Sequence, residues 1–428
     1  MIALIGLLLC VGLSALLVVV HPFIEHMTQV GGAFTSKTVC TGVFLSARSY
    51  ESIKANELAG ISATLFSPVI DYESKTVSTT LLGFGPSISE LLKLPIPKAV
   101  YIGPKFGCQM HFDEDDTCPD ATCPASISKY PSIATSPSSA DNADGDDTED
   151  ANEFDGPVAD CLKSVVDAQF TYEAFKQNQS RAIAVSYQGK VIDGYQTAHL
   201  NITKSTRLLG WSMTKSVFSM IIGAAIQQKI LFLDTPLKLS HFDAEYIKEI
   251  TRLNGGEALT FGDLLLMNDV LYIEEDYAIH RHVVEMLFGS YDTVKFASMN
   301  DGSVTENMQR TNVFGVRGDH AKPIPPSPIE HSSFAWYYSS AVSNLLSHEL
   351  RALLPDEDYW NFPHKYLFDV IGASGFALEM DASGTFIASS FAYGRARDWN
   401  KLGQLLLNKG AWYVGEEKIQ VIPEEYVE

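Results

Sequence analysis

The sequence predicts an α+β fold in which antiparallel strands are flanked by helices. Two short segments, Arg181–Gln188 and Val191–Tyr195, flank a Gly-Lys pair in the pattern of a β-hairpin. Apolar residues then recur near the helical period from Val217 to Ile226, which predicts a buried helix. The segment Ala396–Leu407 is amphipathic at the same period and predicts a second, surface helix close to the end of the chain.

Ser212 and Lys215 lie where the predicted buried helix begins, three residues apart. This spacing puts both side chains on one helix face, one turn apart. A serine hydroxyl is a weak nucleophile until a base takes its proton. A lysine amine can be that base when burial and a helix N-terminus lower its pKa. The pattern therefore predicts a nucleophile, Ser212, with its own general base, Lys215.

Other candidate motifs are weaker. A second Ser-x-x-Lys match, Ser126–Lys129, lies in a Ser/Pro/Ala tract without helical continuation. A nucleophile elbow would require a second glycine where the chain has Thr214. His280 and His282 could bind a metal, but positions i and i+2 of a helix point apart, which favours a solvated helix face. We expect neither a metal nor an organic cofactor.

The charge of the chain is uneven. The 428 residues carry a net charge of −21, which argues against a nucleic-acid partner. Residues 113–157 alone hold 13 acidic residues and one lysine. This composition predicts a disordered acidic insert. A calcium loop around Asp141–Asp147 is the alternative, but alanines occupy two positions where an EF-hand needs acids.

Residues 2–20 contain no charged side chain and, as a helix, would rise about 28 Å, enough to cross a bilayer core. A cleaved signal peptide is the alternative, but it would need a basic start, and no Lys or Arg precedes Lys37. The sequence thus favours a transmembrane anchor over residues 1–22. Either interpretation exports the rest of the chain, so we expect a membrane-anchored, extracytoplasmic protein.

Five cysteines lie outside the N-terminal segment. In an oxidising compartment we expect a disulfide between Cys40 and Cys108 and a second pair among Cys118, Cys123 and Cys161, with one thiol left over. The alternative is that all five are reduced.

Tyr338 begins a second informative segment, Tyr338-Ser339-Ser340, since a phenol beside a lysine can relay a proton. Together the motifs resemble the class C β-lactamase-related serine hydrolases, especially the branch similar to 6-aminohexanoate-dimer hydrolase. The matching segments are Gly32–Ser46, Leu208–Ser216, Leu259–Met267, Trp336–Ser347, Glu379–Thr385 and Ala396–Asp398. The resemblance implies a β-lactamase/transpeptidase-like fold, with an antiparallel sheet flanked by helices and a helical subdomain.

The resemblance also implies roles. Ser212 would be acylated, Lys215 would deprotonate it, and Tyr338 would pass the proton to the leaving nitrogen. The Ser212 backbone N–H would supply half of the oxyanion hole. The third motif of the family, Lys or His followed by x-Gly, does not follow Tyr338, which implies that the C-terminal strands are missing.

The sequence therefore predicts four parts: an anchor at 1–22, an N-terminal segment at 23–112, the acidic insert at 113–157 and an incomplete hydrolase domain at 158–428. We expect a serine hydrolase that cleaves amide or ester bonds of a small molecule or peptide through an acyl-serine intermediate. The alternative, motivated by the absent third motif, is a catalytically degenerate or truncated binding protein of the same fold.

Overall fold

A computed structural model describes residues 2–58, 64–83, 85–111, 156–242, 244–267, 271, 275–277, 282–298 and 338–428, with residues 2–20 as backbone only. Its helices are α1 Ile2–Cys40, α2 Tyr50–Asn56, α3 Pro86–Leu91, α4 Pro157–Ala168, α5 Tyr172–Asn178, α6 Thr197–Leu200, α7 Met213–Gln227, α8 Ala244–Leu253, α9 Phe261–Leu265, α10 His282–Val284, α11 Thr293–Ser298, α12 Ser340–Arg351, α13 Asp356–Pro363, α14 Ala396–Leu407 and α15 Glu424–Val427. Its strands are β1 Phe66–Asp71, β2 Thr76–Leu81, β3 Lys98–Gly103, β4 Gly107–His111, β5 Ala182–Tyr187, β6 Lys190–Tyr195, β7 Leu208–Leu209, β8 Ala377–Leu378, β9 Ala392–Gly394, β10 Ala411–Val414 and β11 Glu417–Gln420.

The strands pair antiparallel, and those in the described residues form four small sheets. Strands β1–β4 follow one another in one sheet, β5 pairs with β6, β9 lies between β7 and β8, and β10 pairs with β11. We expected a single antiparallel sheet. The predicted hairpin β5–β6 is present but separate, and it packs against α4 and α14. Helices therefore cover strands that a single sheet would have joined.

Helix α1 runs without a break from Ile2 to Cys40, across the expected boundary at residue 22. Its C-terminal part is buried against β2 and β3. No helix in the described ranges is long and apolar enough to cross a bilayer. The structure therefore does not support the transmembrane anchor that we predicted for residues 1–22.

The ends of two helices agree with the sequence, which predicts Ala396–Leu407 and indicates a helix start at Leu259–Met267 with Thr260 as a cap. Helix α14 has the bounds expected from its periodicity, Ala396–Leu407. Helix α9 begins after Thr260, whose side chain accepts from the Asp263 N–H while the Asp263 carboxylate accepts from the Thr260 N–H. This reciprocal pair satisfies two otherwise unpaired donors at the start of the helix.

The sequence from Val158 to Phe175 looks like one helix, and this expectation was wrong. The chain forms α4 and α5 instead, separated by residues 169–171. Thr171 adopts an extended backbone, and its hydroxyl accepts from the Ala174 N–H at 3.4 Å. A threonine that caps a new helix competes with continuation of the previous one.

Cys40 and Cys108 form a disulfide that joins the end of α1 to β4, with a Cα–Cα distance of 6.1 Å. Cys161 is exposed and has no disulfide partner within the described ranges, and Cys118 and Cys123 lie outside them. The bridge closes a loop of 68 residues and restricts the unfolded chain.

We expect the double change Cys40→Ser and Cys108→Ser to lower the free energy of unfolding by about 2–5 kcal/mol, because the unfolded chain regains the entropy of this loop. Urea unfolding of the variant against wild type measures the effect, with Cys161→Ser as the matched control. A change within about 0.5 kcal/mol, as for an ordinary surface substitution, would contradict this role.

A buried ion pair lies beside the disulfide. Nζ of Lys37 on α1 lies 2.8 Å from Oε2 of Glu379, and the two side chains are 2% and 0% exposed. Nζ also donates to the Cys108 carbonyl at 2.8 Å, and the Cys108 N–H donates to Oε1 of Glu379 at 2.8 Å. Gly107, at a φ of +60°, leaves room for the Glu379 side chain, which a Cβ there would overlap. The pair fixes α1 to the segment that follows β8.

Asp381 lies two residues after Glu379 and is also buried. Its carboxylate accepts from the N–H and hydroxyl of Thr293 at 3.0 and 2.9 Å, and from the hydroxyl of Ser383 at 2.7 Å. Burial, reinforced by the nearby Asp292, raises the pKa of Asp381 to about 6. These bonds connect the start of α11 to the turn before β9, which pairs with β7.

Candidate active site

The turn that carries Ser212 is held by the short sheet β7-β9-β8. The Gly210 N–H donates to the Ala392 carbonyl at 2.9 Å, and the Ala392 N–H donates to the hydroxyl of Thr214 at 3.0 Å. A Cβ at residue 210 would overlap the ring of Trp399, so the close approach requires glycine. These contacts bind both ends of the turn to β9.

Trp211 has a φ of +44°, a left-handed backbone that is strained for a tryptophan. The turn brings Ser212 to the surface at the first position before α7, where its side chain is exposed. The Lys215 N–H donates to the Ser212 carbonyl at 3.1 Å, which closes the first helical turn. The local backbone therefore presents Ser212 outward and places Lys215 one turn beneath it.

The half-buried Lys215 amine has polar contacts on three sides. Nζ donates to the Ser389 carbonyl at 3.1 Å and to the hydroxyl of Ser340 at 3.2 Å, and it lies 3.5 Å from Oγ of Ser212. Two acceptors thus fix two N–H bonds of the amine. The remaining position of the nitrogen, either a third N–H or a lone pair, points to the Ser212 hydroxyl.

Tyr338 contacts Lys215 through the face of its ring. Nζ lies 4.6 Å from the ring centroid, a cation–π distance. Ser212, Lys215 and Tyr338 are thus brought together from segments that are more than a hundred residues apart in the sequence.

Helix α12 holds the acceptors of Lys215 in place. It begins after Ser339, whose hydroxyl accepts from the Val342 N–H at 3.3 Å. One turn on, the fully buried Asn344 accepts from the Ser389 N–H at 3.1 Å, which fixes the carbonyl that Lys215 contacts. The same helix therefore supplies the Ser340 hydroxyl directly and the Ser389 carbonyl through Asn344.

A carboxylate lies behind Ser340. Both the N–H and the hydroxyl of Ser340 donate to Glu275, the hydroxyl at 3.3 Å, and the hydroxyl of Tyr277 donates to Glu275 at 2.6 Å. Partial burial, together with the hydrogen bond to Glu275, raises the pKa of Tyr277 well above its usual range, although 58% of the residue is exposed. Tyr277 is therefore a neutral donor at physiological pH.

Lys215 also lines a cavity of about 480 Å³, whose lining does not include Ser212, Tyr338 or Ser340. Lys215, Ser216 and Ser219 line it along α7. The other walls are mostly apolar and include Phe218, Leu233, Leu264, Leu265, Leu266, Met267 and Leu346. The space beside Lys215 is therefore suited to an apolar group of moderate size.

Other sequence candidates are not part of the site as the structure describes it. The calcium-loop candidate Asp141–Asp147, the second motif Ser126–Lys129 and His280 lie outside the described residues. His282 lies on α10. Among the residues that the structure describes, no group of three or more His, Cys, Asp or Glu side chains is arranged to hold a metal ion.

Sequence reasoning missed Glu275, Tyr277 and the Ser389 carbonyl. A run of three acidic residues and a tyrosine, Glu274–Tyr277, follows the α9 segment and was the available signal. Nothing in the sequence marks Ser389, because it acts through its backbone.

Comparison with known proteins gives matches only among solved structures. No family model and no curated protein matches the chain. A protein from Bacillus anthracis described as a 6-aminohexanoate-dimer hydrolase is 18% identical, with a TM-score of 0.40 over 60% of this chain and 60% of that chain. A beta-lactamase from Sulfitobacter is 15% identical, with a TM-score of 0.37 over 60% and 66% of the two chains. A penicillin binding protein from Bacillus halodurans is 13% identical, with a TM-score of 0.36 over 59% and 74%. The chain thus spans less than two thirds of the length of the first of these proteins.

Proposed function

We propose that the chain is a serine hydrolase that cleaves an amide or ester bond of a small substrate through an acyl-Ser212 intermediate. The observation that carries the proposal is the geometry of Lys215. Because Ser389 and Ser340 occupy two directions of its amine, the third direction is committed to Ser212. A neutral amine held in this way has its lone pair aimed at the hydroxyl proton.

The reaction follows from these contacts. The Ser212 oxygen attacks the substrate carbonyl while its proton moves to Lys215, and the Ser212 backbone N–H faces the developing oxyanion. The C–N or C–O bond breaks, and the leaving group takes up the proton that Lys215 accepted. Tyr338, whose ring face lies against the Lys215 amine, would relay it once its hydroxyl faces the leaving group. Water then attacks the acyl carbonyl and restores the serine. The separation of 3.5 Å between Lys215 and Ser212 is long for proton transfer and is expected to shorten when substrate binds.

The Cys40–Cys108 disulfide supports a location outside the cytoplasm, since such bridges persist in oxidising compartments.

We expect Ser212→Ala to lower hydrolysis of a panel of activated esters and anilides by about 10³-fold or more, because the nucleophile is lost. Spectrophotometric assay of the purified chain measures the effect. Ser126→Ala, which alters the second Ser-x-x-Lys match, is the control and should hydrolyse at the wild-type rate. Equal rates for Ser212→Ala and wild type would contradict the proposal, and a folded wild type that turns over nothing would favour the binding protein.

A further inference from the structure

Glu275 accepts from both the N–H and the hydroxyl of Ser340, and Lys215 contacts the same hydroxyl. We propose that Glu275 is a positioning residue for Lys215, acting through Ser340. This role rests on the proposed hydrolase function. In this role Glu275 fixes the direction of the hydrogen bond between Ser340 and Lys215. Ser212, Lys215 and Tyr338 do not perform this task.

The direction follows from the number of protons available. A serine hydroxyl has one proton and two lone pairs. The Ser340 proton goes to Oε2 of Glu275, and the Ser340 N–H donates to Oε1, so both oxygens of the carboxylate are engaged. Since an ionised carboxylate only accepts, the Ser340 oxygen must turn its lone pairs towards Lys215.

Tyr277 reinforces this arrangement. Its hydroxyl donates to the oxygen of Glu275 that also accepts from the Ser340 hydroxyl. Because partial burial and this bond keep Tyr277 protonated, it offers Glu275 a second donor rather than a competing charge. Two neutral donors therefore point at the same oxygen of Glu275.

The consequence concerns the lone pair of Lys215. A hydroxyl that is free to rotate could donate to the neutral amine and occupy the lone pair that Ser212 needs. With its proton held by Glu275, Ser340 can only accept from Lys215, so the lone pair is left for the nucleophile. Glu275 and Ser340 transfer no proton, and they hold the amine in its reactive orientation.

Glu275→Gln tests this role directly. A glutamine can keep one oxygen on the Ser340 N–H, but its NH₂ group then faces the Ser340 hydroxyl and donates to it. The Ser340 proton is released towards Lys215, so the hydrogen bond reverses. We expect acylation by a fluorophosphonate probe, in which a Ser–O–P bond forms and fluoride leaves, to slow by about 10- to 100-fold at saturating probe, the size typical of residues that orient a reacting group. The probe concentration at half-saturation should not change, because Glu275 does not line the cavity.

The pH profile separates this role from a structural one. Tyr338, Ser340, the Ser389 carbonyl and, behind Ser340, Glu275 face the Lys215 amine. A nearby negative charge favours the protonated form of an amine, so its removal should move the pH midpoint of acylation to lower pH while the plateau rate falls. The exposed Glu257→Gln removes one negative charge elsewhere and should change neither the midpoint nor the plateau.

Ser340→Ala tests the same role without changing Glu275. If Glu275→Gln fails to fold, acylation of Ser340→Ala at the wild-type rate overturns the role. The Ser340→Ala change removes the hydroxyl through which Glu275 acts and should itself slow acylation. Adding Glu275→Gln to Ser340→Ala should then slow it no further. If the probe labels wild type and Glu275→Gln equally fast, the role of Glu275 is overturned and the proposed hydrolase function is not. The same conclusion follows if the effects of the two changes multiply. A folded wild type that the probe does not label would instead overturn the proposed function.

Discussion

Lys215→Ala should lower the rate of Ser212 acylation by about 10²- to 10⁴-fold, the range typical of a general base. The amine is the group placed to take the Ser212 proton, at 3.5 Å, and its other contacts are acceptors that hold it there. Stopped-flow measurement with a chromogenic ester or a fluorophosphonate probe gives the rate.

Lys215→Arg is the matched control because it keeps the positive charge. A guanidinium has donors but cannot take a proton at accessible pH. If Lys215 acts as a base, both variants should be slow. If it acts only as a cation, Lys215→Arg should retain most of the rate. We expect the free energy of unfolding of Lys215→Ala to stay within about 1 kcal/mol of wild type, as for a change at a half-buried site. A wild-type rate in Lys215→Ala would refute the assigned base.

Lys37→Met should lower the free energy of unfolding by about 3–5 kcal/mol, the usual effect of removing one partner of a buried pair. Glu379 would lose the ammonium at 2.8 Å and keep a buried carboxyl group without its cationic partner. Some hydrogen bonds to its Oε1 would remain, but none of them supplies a compensating charge. Urea unfolding at neutral pH measures the loss.

The double change Lys37→Met and Glu379→Leu is the control that identifies the cause. Replacing a whole buried pair by apolar residues of similar size is often close to neutral. We therefore expect the double variant to be more stable than Lys37→Met alone. If the two were equally unstable, packing rather than the unpaired charge would account for the loss.

The same pair connects the fold to the site. Nζ of Lys37 lies 4.7 Å from the ring centroid of Phe391, and that ring lies 6.0 Å from the ring of Trp211. Trp211 directly precedes Ser212, and the strained backbone of Trp211 exposes the Ser212 side chain. Disrupting the pair removes one support of the turn, so Lys37→Met should also slow acylation below the melting temperature.

Local patterns in the sequence predicted local structure. The Gly-Lys pair at 189–190 marked the β5–β6 hairpin, and the spacing of apolar residues gave the bounds of α14. The Ser-x-x-Lys motif located Ser212 and Lys215 because both belong to one helical turn. A capping threonine decided the break between α4 and α5, and an apolar period does not reveal such a break.

Partners that are distant along the chain could not be predicted in this way. Lys37 and Glu379 are separated by 342 positions, and each alone resembles an ordinary surface charge. The contact between Glu275 and Ser340 depends on how residues 275–277 meet the start of α12, and the Ser389 contribution is a backbone carbonyl. Periodicity indicates which face of an element is buried, but it does not show which side chain lies opposite.

Mass spectrometry of the chain after reaction with a fluorophosphonate gives the most direct test of Ser212 as the nucleophile. The wild-type chain should gain the mass of one adduct, and peptide mapping should place it on Ser212. Ser212→Ala should gain no adduct, and Lys215→Ala should gain it only slowly. An adduct on another serine, or none on folded wild-type protein, would contradict the assignment.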